Sequence, residues 1–219
     1  MTPRPPAAPR APGPAWRRRP AQRLAKRALD VVVSGLVLVA ATPVLLALAL
    51  LVRARLGPPA FFVQTRPGLD GRPFRMVKLR SMSDARGPDG RPLPDEARLT
   101  PFGSWLRSTS LDELPELWNV LRGEMSLVGP RPLLTEYLAL YDDDQRRRHD
   151  MPPGITGWAA VNGRNALSWE DKFRLDLWYV DNWSLWLDLR ILALTLRQVL
   201  SRAGINQPGR ATAEPFRGS

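Results

Sequence analysis

The feature that most limits the fold is a run of 22 residues, Val31 to Val52, without a single charged side chain. As a straight helix it would extend about 33 Å, roughly one bilayer hydrocarbon core. Three arrangements are open to it. A secretory signal has some support in the basic stretch ahead of the run and in Ala47-Leu-Ala49. Leu50-Leu-Val52 continue past that point, however, and Arg53 and Arg55 oppose export. A spanning helix should gather its cations on one side, yet Arg17, Arg18, Arg19, Arg23, Lys26 and Arg27 precede the run and Arg53 and Arg55 follow it. Thr42-Pro43 stands at its middle, where proline removes one backbone bond and kinks a helix. Cations at both ends and a central break suit a re-entrant hairpin that leaves by the leaflet it entered. The Thr42 hydroxyl would help satisfy carbonyls freed near residue 39.

Charge and composition narrow the chemistry. The chain has 219 residues, enough for one catalytic-sized domain, and 32 basic against 21 acidic side chains. Residues 1–29 hold eight cations and no acid, a basic arm suited to nucleic acid or to a lipid headgroup layer. The absence of cysteine excludes disulfides, thiolate zinc sites and cysteine nucleophiles. With His149 the sole histidine, a metal must be held by oxygen, most simply Mg²⁺. Residues 1–20 carry seven Pro and five Arg and cannot bury enough apolar surface to order themselves.

Beyond the apolar run, Ala60 to Thr65 and Phe74 to Arg80 read as strands joined across Gly68-Leu-Asp-Gly71. Alternation puts Phe74, Met76, Lys78 and Arg80 on one face, so an apolar row runs into two cations. Residues 84–98 read as a polar surface loop, and Thr100-Pro101 opens a short helix to about Arg107. Ala166 to Val180 and Trp183 to Leu200 have helical patterning, separated at Asp181-Asn182. Trp178, Tyr179, Trp183 and Trp186 suit either an interfacial belt or a core. Asp142-Asp-Asp144 with Arg146-Arg-Arg148 reads as a solvated charge run, and His149 as a surface or core histidine. Residues 206–219 read as a loose tail.

The richest stretch for chemistry is Ser108-Thr-Ser-Leu-Asp112-Glu113-Leu-Pro115. It could be a capping box with Ser110 as N-cap, but Pro115 would then fall inside the helix at a cost of about 3 kcal/mol. If Asp112 is the N-cap, Pro115 falls in the first turn, and the helix dipole favours an ionised Asp112 and a nearby phosphate. Such a carboxylate is a plain cap, a Mg²⁺ ligand or a nucleophile forming an acyl phosphate. Gly123-Glu-Met-Ser-Leu-Val-Gly-Pro-Arg131-Pro132 reads as a short strand ending in a stiffened loop that presents one arginine to a phosphate, or as an ordinary turn. Pro152-Pro-Gly-Ile-Thr-Gly157 and Asn162-Gly-Arg164-Asn165 are dense in donors and could hold a nucleotide or sugar, or simply connect helices.

In order, Lys26-Arg27…Asp30, the apolar run with its proline, Lys78-Leu-Arg80-Ser-Met82, Leu106-Arg107…Asp112-Glu-Leu-Pro115, Leu117-Trp-Asn119, Ser126-Leu-Val-Gly-Pro-Arg131-Pro132, Pro153-Gly-Ile-Thr-Gly157 and Val161-Asn-Gly-Arg164-Asn165 resemble the monotopic bacterial sugar transferases. These are polyprenyl-phosphate phosphoglycosyl transferases, and the likeness is closest to small members with only the catalytic domain. The resemblance implies transfer of a sugar 1-phosphate from a UDP-sugar to undecaprenyl phosphate, with release of UMP, at the cytoplasmic face of the bacterial inner membrane. It implies Mg²⁺ and a two-step reaction at an Asp-Glu pair: Asp112 as the nucleophile, Glu113 as a metal or positioning group, and both as metal ligands. It makes Lys78, Arg80 and Arg131 phosphate-binding residues, turns Asn162 and Arg164 toward nucleotide or sugar, and gives Arg107, Pro115, Thr42 and Pro43 structural parts.

The expected architecture is therefore α+β: a disordered tail (1–22), a re-entrant membrane helix-break-helix (23–56), a mainly helical cytosolic domain with a small β-hairpin (57–206) and a second tail (207–219). Anionic membrane lipid is an expected partner, a homodimer is allowed for, and nucleic acid is not expected. Against the family pattern, the break is Thr-Pro rather than Ser-Pro, and Glu116 and Ala160 stand where glutamine is usual. A non-catalytic membrane scaffold and a basic nucleic-acid-binding protein are the competing readings. The first would need no Asp112-Glu113 pair, and the second predicts cations spread over a folded face.

Overall fold

A computed structural model describes residues 14–163, 166–201 and 215–218. Helices α1 (Ala15–Arg18) and α2 (Pro20–Leu56) lead into an antiparallel hairpin of β1 (Phe61–Pro67) and β2 (Pro73–Leu79). Then come α3 (Asp95–Arg98), α4 (Pro101–Ser108), α5 (Glu116–Arg122), β3 (Ser126–Val128), α6 (Asp143–Arg146), β4 (Gly154–Thr156), α7 (Trp158–Val161), α8 (Trp169–Asn182) and α9 (Leu185–Ser201). The fold is α+β. Besides the expected hairpin it holds a second, parallel pair, β3 with β4.

The uncharged run lies within α2, whose helical assignment continues through Pro43 where the sequence suggests a break. The Thr42 hydroxyl donates to the Leu38 carbonyl at 2.7 Å, a back-bond that bends helices without ending them. One flank of α2 rests on the rest of the protein at both ends. Val33 and Leu38 pack on a core containing Val120, Leu127, Trp183 and Ile191. Leu45, Leu48 and Val52 pack with Leu79, Leu106 and Leu111. The opposite flank faces outward, with Val39 and Leu50 77 % and 70 % exposed and only 11 % of the most apolar window buried. A soluble core helix would be mostly covered. Leaving Leu36, Val39, Val44, Leu46 and Leu50 in water would cost on the order of 10 kcal/mol, comparable to a whole domain's stability. That flank is a membrane-contacting surface.

A buried polar network fixes the first half of α2. Lys26 Nζ donates to Asp188 Oδ2 (2.6 Å) and to the Val128 carbonyl (2.9 Å). Tyr179 and Trp183 donate to the same carboxylate at 2.6 and 3.1 Å. Asp30 accepts from the Leu127 N–H at 3.0 Å, so Lys26 and Asp30, one turn apart, clamp both sides of β3. Arg27 caps the C-terminus of α5 through the carbonyls of Val120 and Leu121. Of the four aromatics that suited either a belt or a core, Tyr179 and Trp183 are buried and Trp178 and Trp186 are exposed.

Two glycine-proline segments interlock behind the site. A Cβ on Gly129 would meet the Pro152 carbonyl at 2.3 Å, and one on Gly154 would meet the Gly129 nitrogen at 2.1 Å. Only glycine lets these backbones approach so closely, and the contact fixes where the following Pro130-Arg131-Pro132 points.

Described residues from both expected tails make long-range contacts. Residues 14–22, assigned to the leading tail, are folded: Trp16 meets the Trp183 ring edge-on at 5.5 Å and Arg19 donates to the Trp183 carbonyl. Phe216, assigned to the trailing tail, is buried among Tyr137, Tyr141, Trp169 and Phe173. The charge run is also not fully solvated, because Arg148 is buried against Asp176 at 2.6 Å. In each case a long-range aromatic or ionic partner supplies the burial that local composition does not reveal.

Candidate active site

Asp112 and Glu113 lie in a tight 3₁₀ turn, Leu111–Glu113, between α4 and α5. The turn follows Ser110, held in the left-handed region (φ 56°, ψ 16°), an uncommon conformation for a non-glycine residue. Pro115 is the N-cap of α5, so the helix starts at Glu116 and Asp112 is not its cap. The expected explanation for an ionised Asp112, a helix N-terminus, is therefore replaced by a different environment.

Three cations converge on this turn. Lys78 from β2 reaches Glu113 Oε1 at 3.0 Å and Glu116 Oε1 at 2.8 Å. Arg131 forks onto Glu113, its Nη2 on Oε1 and its Nη1 3.4 Å from Oε2, while Nη1 also donates to the Ile155 carbonyl at 3.0 Å. Arg107 from α4 is braced by Ser81 Oγ at 2.9 Å. Behind Arg131, the buried Arg148 donates to the Arg131 carbonyl at 2.8 Å and is neutralised by Asp176. This positioning contact is invisible in the sequence because it joins distant segments. Asn119, of the Leu117-Trp-Asn motif, accepts from Val77 N–H (3.1 Å) and donates to the Arg75 carbonyl (2.7 Å), tying α5 to the β2 edge beside Lys78.

The two acids are driven in opposite directions. Burial and the Glu113 charge push Asp112 up to about 6, against the pull of Lys78, Arg107 and Arg131. Burial opposes ionisation of Glu113 too, but Arg131 and Lys78 outweigh it and hold that carboxyl well below the usual range. Burial raises Glu116 despite Lys78, and the two glutamates keep Lys78 cationic despite its own burial. No hydrogen bond or ion pair from the other described residues reaches the Asp112 carboxylate. The site thus holds one clamped anion and one unengaged carboxylate that is ionised near neutral pH.

The turn is also tied to the membrane helix, since Leu111, next to Asp112, packs with Leu48 and Val52 of α2. A bacterial sugar transferase family model matches residues 21–202. The chain belongs to this family. Among its relatives, the uncharacterized sugar transferase EpsL of Bacillus subtilis is 55% identical over 194 residues, 89% of this chain and 96% of that protein. The UDP-glucose:undecaprenyl-phosphate glucose-1-phosphate transferase of Xanthomonas campestris is 42% identical over 190 residues, 82% of this chain and 39% of its own length. The undecaprenyl-phosphate galactose phosphotransferase of Salmonella typhimurium is 40% identical over 199 residues, 83% and 42% of the two chains. This sugar transferase spans about two fifths of the length of those two longer relatives.

Within the transferase, Lys78, Arg107, Asp112, Glu113 and Arg131 come together as expected. Arg80 does not join them. Its guanidinium caps the C-terminal end of α2, donating to the carbonyls of Leu56, Gly57 and Pro58. The phosphate-binding part expected of it is corrected to an anchor between β2 and the membrane helix. The Asn162 amide closes its own turn on the Trp158 carbonyl at 2.8 Å. Arg164 lies outside the described residues. Thr42 and Pro43 sit on the exposed stretch of α2, away from the turn. Glu116, singled out only as a departure from the family pattern, is 1 % exposed and partners Lys78.

Among the described residues no group of three His, Cys, Asp or Glu side chains is placed to hold a metal. Asp112 fits as a single hard oxygen ligand, the usual protein share for Mg²⁺ carried on a diphosphate. Glu113 fits less well, because the oxygens of its carboxylate face Lys78 and Arg131.

Proposed function

We propose that this transferase moves a sugar 1-phosphate from a UDP-sugar to undecaprenyl phosphate, releasing UMP, through a covalent intermediate on Asp112, as the first membrane step of a bacterial glycan. The observation that carries this reading is the unengaged Asp112 carboxylate among three cations, on a turn packed against a membrane helix. The names of the relatives support the substrate classes.

In the first step an Asp112 carboxylate oxygen attacks the phosphorus bonded to the sugar. The phosphoanhydride bond to the uridine-bearing phosphate breaks and its electron pair leaves with UMP. In the second step a phosphate oxygen of the polyprenyl carrier attacks the same phosphorus. The acyl–phosphate bond breaks, regenerating the carboxylate and leaving a polyprenyl diphosphate sugar. Arg131 and Lys78, oriented by Glu113 and Glu116, present positive charge where the diphosphate charge shifts. Mg²⁺, held by Asp112 and the diphosphate, would supply further charge neutralisation. Burial keeps competing water from the intermediate, and contact with α2 brings the site to the depth of the carrier's phosphate.

Incubation with a panel of UDP-sugars and Mg²⁺, without lipid acceptor, should release UMP stoichiometric with enzyme. It should leave a sugar-phosphate adduct on the peptide containing Asp112, read by mass spectrometry. Direct transfer in a ternary complex would give no UMP until undecaprenyl phosphate is added, which would defeat the covalent step alone.

The same reading places the protein on the cytoplasmic face of the inner membrane, with α2 dipping in and returning. It is supported by the cations on both flanks and by the packing of both ends of α2 on one body. Single cysteines near positions 20 and 58 should both be labelled from the cytoplasm only. Periplasmic labelling of the first position alone would make α2 a spanning helix.

A further inference from the structure

We propose that Arg66 and Arg131 together form a phosphate subsite beside the Asp112 turn, one that binds a phosphoryl oxygen of a substrate. The inference deepens the transferase reading and rests on it for the identity of the ligand, but not for the presence of an anion site.

In the hairpin, Gln64 pairs with Met76 and Arg66 with Phe74, while Phe62 pairs with Lys78. Side chains directly opposite share a face, so β1 turns Gln64 and Arg66 to the same side as Lys78. Both are half-buried and alternate with the exposed Val63 and Thr65. The alternation that singles out Lys78 on β2 therefore applies equally to β1, and there it selects Arg66.

No carboxylate pairs with Arg66, although the Glu116 and Glu136 charges act on it from beyond ion-pair distance. Its Nη2 donates to Gln64 Oε1 at 2.7 Å, and its Nη1 has only a long contact of 3.5 Å to the carbonyl of Pro132, the residue after Arg131. Its Nε is buried without a hydrogen-bond partner. Among the described residues it forms no ion pair, whereas Arg131 and Arg148 each hold a carboxylate and Arg80 a set of carbonyls. Burial and the Arg131 charge both weaken its hold on its proton. A half-buried guanidinium facing a second one is costly unless something anionic sits between them. Glu116 and Glu136 favour its charge, but neither reaches it as an ion pair. Gln64 instead orients the planar fork without neutralising it, which leaves a bidentate donor for a tetrahedral oxyanion.

The donor diphosphate and the carrier phosphate share this chemistry, and the two half-reactions separate them. Arg66→Gln and Arg66→Lys are made in the full chain. Thermal unfolding with inorganic pyrophosphate reads anion binding without activity. The unmodified protein should be stabilised by pyrophosphate, the glutamine variant much less, and the lysine variant in part. In kinetics, Arg66→Gln should raise one apparent affinity constant roughly 10- to 100-fold, the range for a lost charge-assisted hydrogen bond, with a smaller change in kcat. A rise in the UDP-sugar concentration needed for acceptor-free UMP release assigns the subsite to the donor. A rise only in the KM for undecaprenyl phosphate assigns it to the carrier. The subsite is overturned if the glutamine variant keeps the pyrophosphate shift and both KM values, or if it loses only melting temperature. Failure of the unmodified protein to release UMP would instead count against the reaction assignment, and the pyrophosphate measurement would still decide on Arg66.

Discussion

Asp112→Asn should abolish turnover and, at the same time, raise the melting temperature of the protein. The activity loss follows from removing the attacking oxygen while keeping size and shape, so UMP release should fall below detection. The stability gain follows from the site's electrostatics. Asp112 is 7 % exposed, and burial with the Glu113 charge raises it from 3.8 to about 6. A folded-state value above the unfolded one means that the protonated group favours the fold. That contribution is complete below about pH 4 and is lost as pH rises through about 6. At pH 7.5 the ionised carboxylate therefore costs the native state on the order of 2–3 kcal/mol, which asparagine does not incur. Melting of the two proteins in detergent should differ by several degrees at pH 7.5 and converge toward pH 4.5. The wild-type rate should climb with pH through about 6 and level off near 7, as the attacking form accumulates. An active Asp112→Asn enzyme would remove Asp112 from the chemistry, and equal melting at pH 7.5 would show that its charge is already neutralised in the fold.

This pairing of lost activity with gained stability also separates what local sequence reveals from what it does not. Asp112, Glu113, Lys78 and Arg131 are legible because each belongs to a short segment with its own constraint: a proline-limited turn, an alternating strand, a glycine-proline loop. Their environment is not legible. The cap assignment for Asp112 failed because Pro115 takes the N-cap itself, and the preceding residues close a 3₁₀ turn through the left-handed Ser110. With the dipole argument gone, burial decides the acidity, and burial depends on α2, α4 and β2 meeting around the turn. The same limit applies to Arg80 and Arg148. Cations in a strand and in a charge run look alike on paper, and only the chain path shows that one caps a membrane helix while the other holds the Arg131 backbone. The membrane helix is the converse case, where 22 uncharged residues state their environment without any tertiary contact.

Lys78→Met should destabilise the protein by about 3–5 kcal/mol near pH 8, the usual penalty for removing one partner of a buried ion pair. Lys78 is the cation shared between Glu113 and Glu116, at 3.0 and 2.8 Å. Glu113 would retain Arg131, but Glu116 is 1 % exposed and Lys78 is the cation its carboxylate pairs with. Glu116 is already raised by burial with Lys78 present, so without it the acid rises further and the neutral form carries the fold. A raised acid adds stability that is lost with increasing pH. The variant should therefore be closest to wild type near pH 5 and fall away as pH approaches 8, with a steeper slope than the reference protein, in which Lys78 partly offsets the burial of Glu116. Adding Glu116→Gln should recover most of the loss at pH 8, because the amide needs no counter-ion, and the double-mutant cycle should show coupling above about 1 kcal/mol. Activity should not return with stability, since the glutamine repairs the fold without replacing the charge that faces the diphosphate. A Lys78→Met protein equally unstable at pH 5 and pH 8, or one that Glu116→Gln fails to rescue, would mean that Lys78 supports the turn through packing rather than as the counter-charge of Glu116.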